Sequence, residues 1–135
     1  MVVEKTNRVP IQTSEDVVRV RQAVRSDATT LGFNLVDQTK LVTAASEIAR
    51  NTLDYGGGGD LRIDHLRLGN RKGLRLVFHD DGPGIPDINR ALEDGFTTGG
   101  GLGLGLSGAK RLSSEFNIES TVGSGTTVTL VRWSK

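Results

Sequence analysis

The sequence contains no cysteine. That excludes disulfide staples, thiolate metal sites and a cysteine nucleophile, and it points towards a cytoplasmic setting. Histidine is scarce: His65 and His79 are the two in the chain, and their spacing matches no metal-ligand pattern. No run of apolar residues approaches the length of a membrane span, and the N-terminus lacks the apolar core of a signal peptide, so no membrane role is expected. Excess charge of one sign is missing as well. Seventeen basic residues face sixteen acidic ones without a long single-sign block, which leaves no electrostatic case for nucleic acid or an anionic lipid surface. There is no internal repeat and no Pro/Ser-rich linker. At 135 residues the expectation is one domain over residues 1–135, able to bury roughly two-thirds of its unfolded surface without staples.

Glycine, in contrast, is abundant. There are 18, roughly one residue in eight against a usual ~7%, and they cluster. Four form Gly56 to Gly59, two lie in Asp80-Asp81-Gly82-Pro83-Gly84, and five fall between Gly99 and Gly105. Clustered glycine marks turns that need positive φ, or backbone that must come very close to a ligand. Between the clusters, hydrophobic periodicity predicts the elements. Val17, Val20, Val24, Ala28 and Leu31 recur at helical spacing over residues 15–31, with Thr13 or Ser14 able to cap the start and Gly32 at the end. A second helix is expected from about Asp37 to Tyr55, with Leu41, Ala44, Ala45, Ile48 and Leu53 on its apolar face. Then the period becomes two. Leu61, Ile63 and His65 read as a strand, Gly69 to Gly73 as a turn, and Leu74 to Phe78 as a central strand. A short helical piece is expected from Asp87 to Glu93, a third helix from Leu106 to Phe116, and a hairpin of residues 118–122 and 126–133. The sum is an α+β, two-layer sandwich: a mixed, mostly antiparallel sheet with helices on one face.

Three segments carry chemistry. Glu47 and Asn51 are four apart on the second helix and share a face, with Arg50 and Asp54 nearby. Taken alone this describes a solvated polar face. It also places a carboxylate that can take a proton beside an amide oxygen that can ligate Mg²⁺, a hard cation that prefers oxygen. Asp80 and Asp81 end an apolar strand before Gly82-Pro83-Gly84-Ile85-Pro86. A tight turn accounts for the glycines and prolines. Yet a buried carboxylate there needs a donor, and the exocyclic amine of adenine is one. Finally, Gly99 to Gly105 runs into a helix. It is either a flexible linker or an anion site, because free N–H groups and the helix dipole favour phosphate. It is not a Walker loop, since no Gly-Lys-Ser/Thr closes it. It is not a dinucleotide fingerprint either, since the preceding strand and the βαβ order are missing.

The order of the segments is more specific than any one of them. Glu47-Ile-Ala-Arg-Asn51, then Asp80-Asp-Gly82-Pro-Gly84, then Gly101-Leu-Gly103-Leu-Gly105, with a later Gly125-Thr126, resembles the GHKL superfamily of gyrase, Hsp90, histidine-kinase and MutL type ATPases and its Bergerat ATP fold. The resemblance covers essentially the whole chain. Further stretches are similar to the bacterial switch serine kinases and anti-sigma regulatory factors, closest to the T-type kinases of the stressosome. These are Val36-Asp37-Gln38, Ser46 to Asn51, Asp81 to Ile88, Glu93 to Thr98 and Lys110-Arg111-Leu112. The resemblance implies ATP and Mg²⁺ as cofactors. Glu47 would be the catalytic base and Asn51 the metal ligand. Asp80 would bind the adenine amine, supported by Thr126 through water. Gly82, Gly84 and Ile85 would lie along the base. Gly101, Gly103, Leu104, Gly105 and Leu106 would offer the phosphates backbone N–H groups.

The implied activity is an ATP-dependent serine/threonine protein kinase of a partner-switching module. Its substrate would be a STAS-domain antagonist, and a phosphatase or sigma factor would be a further partner. The alternative is an ATP-gated binding module of the anti-sigma type with weak or no catalysis. A detached histidine-kinase catalytic domain ranks last, because no helical segment with a phosphoacceptor histidine precedes the motifs. A gyrase- or Hsp90-type machine is not expected in a chain with no room for a transducing domain. The sequence departs from the pattern at three places. Asp54 stands where many histidine kinases have lysine, Ser107 stands where the stressosome relatives have proline, and the lid between Gly95 and Leu106 is short.

Overall fold

A computed structural model of the protein describes residues 1–85 and 105–134. The helical piece expected at residues 87–93 and the glycine-rich residues 99–104, including Gly101, Gly103 and Leu104, lie outside the described residues.

The chain begins with a strand that the apolar pattern does not announce, β1 (Val2–Ile11). Helices α1 (Ser14–Thr30) and α2 (Leu35–Asp54) follow, then the hairpin of β2 (Gly59–Leu68) and β3 (Arg71–Asp80). After the glycine-rich segment come α3 (Gly105–Arg111), β4 (Glu115–Thr121) and β5 (Gly125–Trp133). Five strands form one sheet in the order β1-β2-β3-β5-β4. Every pairing among the described strands is antiparallel, in keeping with the mostly antiparallel sheet expected.

Local chemistry sets the helix ends. Thr13 caps α1: its side chain accepts from the Asp16 N–H while the Asp16 carboxylate accepts from the Thr13 N–H, a capping box. Leu31 closes the helix and Gly32, at φ 82°, reverses the chain. Asn34 caps α2 by accepting from the Asp37 N–H at 2.8 Å, two residues earlier than the apolar pattern suggests. At the other end the Gly56 to Gly59 run stops the helix.

The two faces of the sheet differ. Leu61 and Ile63 of β2, Leu74, Leu76 and Phe78 of β3, and Val128 and Leu130 of β5 point towards the helices. There they meet Val17, Val20, Val24 and Ala28 of α1, Leu41, Ala44, Ala45, Ile48 and Ala49 of α2, and Leu106 and Ala109 of α3, all buried. The period-of-two side of each strand and the period-of-3.6 side of each helix thus close on one apolar layer.

Phe116 is a correction. Its spacing after Leu112 suits a helix, but α3 ends at Arg111 and Phe116 lies on β4, opposite Leu130. The Ser113 hydroxyl bonds back to the Ala109 carbonyl at 2.7 Å, and the Ser114 N–H donates to the Val131 carbonyl at 2.8 Å. The backbone is captured by the sheet before another helical turn can form.

Candidate nucleotide site

Asp80 ends β3 on the helix-facing side of the sheet, with Thr126 of β5 opposite it in register. Asp80 is 6% exposed, while the adjacent Asp81 is exposed and its Oδ1 lies 3.0 Å from His79 Nε2. Burial pushes the Asp80 carboxyl above the usual range. Hydrogen bonds from the backbone N–H groups of Gly82 and Thr126 and the nearby His79 oppose that rise, and Asp81 adds to it. Gly82 N–H donates to Oδ1 at 2.9 Å. An ionised carboxylate has about four acceptor positions, so two backbone donors leave room for another.

Glycine makes the rest of this corner possible by contact distance. A Cβ at Gly56 would sit 2.3 Å from Asp80 Cγ, and one at Gly82 would sit 2.6 Å from the Gly56 carbonyl oxygen. The end of α2 and the turn after β3 therefore press backbone to backbone around the carboxylate. On the other side, Gly84 has φ 81° and lies against the Thr121 carbonyl, and Gly125 has φ 102° and lies against the Asp80 carbonyl. The Ile85 N–H donates to Ser120 Oγ at 2.7 Å, and Ser120 Oγ lies 2.8 Å from Thr126 Oγ1. Gly123 N–H donates to the Pro83 carbonyl at 2.8 Å. The turn of residues 80–85 is thus pinned between α2 and the β4–β5 hairpin.

Residues singled out in the sequence fall into three groups. Asp80, Gly82, Gly84, Ile85 and Thr126 come together in this corner. Glu47 and Asn51 lie upstream on α2, separated by one turn, or about 6 Å of rise. Glu47 is buried and Asn51 half-buried. Gly105 opens α3 and Leu106 is buried at its start; Gly101, Gly103 and Leu104 lie outside the described residues. Two residues of the corner went unseen in the sequence. Ser120 joins Ile85 to Thr126, and the hairpin register that pairs it with Thr126 could have flagged it. Gly56 reads as a helix stop, and only the contact with Asp80 shows why its side chain must be absent.

The donor set suits a magnesium nucleotide better than a free metal ion. Among the described residues no group of three or more His, Asp or Glu side chains could hold a metal. One amide oxygen on α2 fits Mg²⁺ that keeps phosphate and water as its other ligands.

Residues 36–134 match the family described as histidine kinase-, DNA gyrase B- and HSP90-like ATPase. The chain belongs to this family. As a member of this ATPase family it has an ATP-binding fold, and its relatives give the finer position. It is 47% identical to the serine/threonine-protein kinase RsbT of Bacillus subtilis, over 93% of this chain and 94% of that protein. It is 31% identical to an anti-sigma F factor of Geobacillus kaustophilus, over 87% of this chain and 84% of that one. Among solved structures it resembles the RsbU and RsbW domains of a Mycobacterium tuberculosis protein, with a TM-score of 0.66 at 22% identity, covering 97% of this chain and 33% of that one. That likeness concerns the fold. On the kinase relationship the chain is an enzyme of the ATP-dependent serine/threonine-protein kinase type. Among the described residues no helix is long and apolar enough to cross a membrane.

Proposed function

We propose that this chain acts as one ATP-binding kinase domain and transfers the γ-phosphoryl group of Mg–ATP to a serine or threonine of a STAS-domain partner. A phosphatase or sigma factor would be bound in the alternate state of the same switch. The observation that carries the reading is Glu47: a buried carboxylate one turn before Asn51, on the helix whose far end packs around Asp80. A hydroxyl nucleophile needs a base, and Glu47 would accept its proton as the new O–P bond forms and the β–γ bridging bond breaks. Asp80 would accept from the adenine amine, with Thr126 and Ile85 holding the turn beside it. Asn51 would hold Mg²⁺, which when bound neutralises charge on the phosphates. Gly101, Gly103, Leu104, Gly105 and Leu106 would present N–H groups to the phosphates. Most of the acceleration would come from positioning. The relationship to RsbT supports partner switching of this kind.

The test is incubation with Mg²⁺, γ-labelled ATP and candidate STAS-domain proteins. Label is expected on a partner serine or threonine, and is expected to vanish in Glu47→Ala and Asn51→Ala. Transfer that survives both substitutions would overturn the site assignment. The anti-sigma F factor relatives favour a second reading, an ATP-gated clamp. Wild-type protein that binds ATP and partner yet never transfers label would decide for it.

A further inference from the structure

Arg132 does not belong to any ATPase motif, yet it is among the most enclosed cations of the fold. It sits on β5, six residues beyond Thr126, on the same helix-facing side of the sheet. Its Nη2 donates to Asp37 Oδ1 at 2.8 Å and its Nη1 to the Leu112 carbonyl at 2.8 Å. The Arg132 side chain is 15% exposed and that of Asp37 is 3%. Arg132 Nε is buried without a hydrogen-bond partner among the described residues. One guanidinium thus joins the first turn of α2 and the chain just past α3 to the strand that carries Thr126.

Such a pair contributes little net stability. Desolvating two charges offsets most of their attraction, and apolar residues of similar volume often do as well or better. The well-attested use of a buried ion pair is to specify register. Here register has a consequence. Helix α2 is fixed at its C-terminal end by the contact of Gly56 with Asp80. The Asp37–Arg132 pair fixes its N-terminal end. Glu47 and Asn51 ride between these two points, so how α2 lies across the sheet sets their distance from Asp80 and Thr126.

We propose that Arg132 and Asp37 are positioning residues that hold α2 in register on the sheet, and so align the phosphate-side groups Glu47 and Asn51 with the adenine-side corner at Asp80. This rests on the nucleotide reading above. The experiment titrates wild type, Arg132→Lys and the apolar double variant Asp37→Leu/Arg132→Met with Mg–ATP and separately with adenosine, alongside urea unfolding. Adenosine reads the Asp80 corner alone, whereas Mg–ATP reads its alignment with α2. The expected result is roughly a tenfold loss of Mg–ATP affinity in both variants, adenosine affinity within about twofold of wild type, and a double variant no less stable than wild type. A role in stability alone predicts normal ligand discrimination in a stable double variant. An unchanged ratio of the two affinities would overturn the proposal, and so would proportionate loss of both ligands. Wild type that gains nothing from the Mg–triphosphate would instead sink the nucleotide reading itself, and the alignment with it.

Discussion

At the residue scale, the proposed adenine-binding role of Asp80 sets folding against binding. Burial raises its pKa from the ordinary 3.8, so the folded chain holds this proton more tightly than the unfolded chain does. The stability linked to Asp80 is therefore fully present below about pH 3.8 and is lost as pH rises through the raised folded value. An ionised carboxylate at this position is one that the fold would hold more easily neutral. Asp80→Asn keeps an oxygen for the Gly82 N–H and removes the charge. Its urea midpoint at pH 7 should equal or exceed that of wild type. Its ATP affinity should fall by roughly ten- to a hundredfold, the worth of a hydrogen bond to a charged acceptor. A drop in the midpoint large enough to account for the lost binding would refute the trade. The position was legible in the sequence, since two aspartates at the end of an apolar strand ask for an explanation. Which of the two is buried was not, because that depends on strand parity: Asp80 falls on the face of Phe78 and Leu76, and Asp81 lies beyond the last pair.

At the scale of elements, the contact between the turn after β3 and the end of α2 depends on absent side chains. Gly82 does not need positive φ; it needs space. A methyl group there would lie 2.6 Å from the Gly56 carbonyl oxygen and 2.7 Å from its Cα, and backbone cannot step aside as a flexible side chain can. Gly82→Ala should destabilise by about 1–3 kcal/mol, as overpacking does, and should weaken ATP binding by moving Asp80 away from α2. Gly57 is the control. It has φ 75° and open space around its Cβ direction, so Gly57→Ala should cost about 1–2 kcal/mol of backbone strain while leaving ATP affinity within about twofold of wild type. Equal effects on binding would mean that the close approach is incidental. The helices and the central hairpin were legible because each has one apolar face with the right period. Strand β1 was not. Among the described strands it lies at the sheet edge and pairs with β2 alone, and it is exposed over most of its length. Only Asn7, Val9 and Ile11 turn inward, and Pro10 and the register shift between Val3 and Lys5 suit an edge rather than a central strand. The overlong third helix has the opposite cause: Leu106, Ala109, Leu112 and Phe116 satisfy a helical period, and only pairing with β5 shows that Phe116 belongs to a strand.

At the scale of the whole molecule, the face of the sheet turned away from the helices buries a charged cluster beside apolar side chains such as Leu66 and Val131. Asp64 of β2 is 1% exposed. It accepts from the Thr6 hydroxyl of β1 at 2.9 Å, from Arg62 Nε at 3.2 Å and from Arg75 Nε of β3 at 2.9 Å. One carboxylate therefore ties three adjacent strands, including the edge strand with the weakest apolar pattern. Burial tends to raise its pKa, but the Thr6 and Arg75 hydrogen bonds and the charges of Arg62 and Arg75 outweigh burial and hold it below the ordinary 3.8. The sign is opposite to that of Asp80. The stability from Asp64 is present above about pH 3.8 and is lost as pH falls through the lowered folded value. Asp64→Asn should lower stability at pH 7 by about 1–3 kcal/mol, because it removes an acceptor from two guanidinium groups that stay half-buried. The difference from wild type should shrink steadily as pH falls from 3.8 through the lowered folded value, below which the wild-type carboxyl is itself protonated. Urea unfolding of both proteins across that range measures it. A gap that stays constant with pH would mean that shape rather than charge holds β1 to the sheet. Because Asp64 and the proposed ATP corner lie on opposite faces, the substitution should leave ATP affinity unchanged wherever the protein is folded, and a parallel loss of binding would show that the two faces are coupled through the strands.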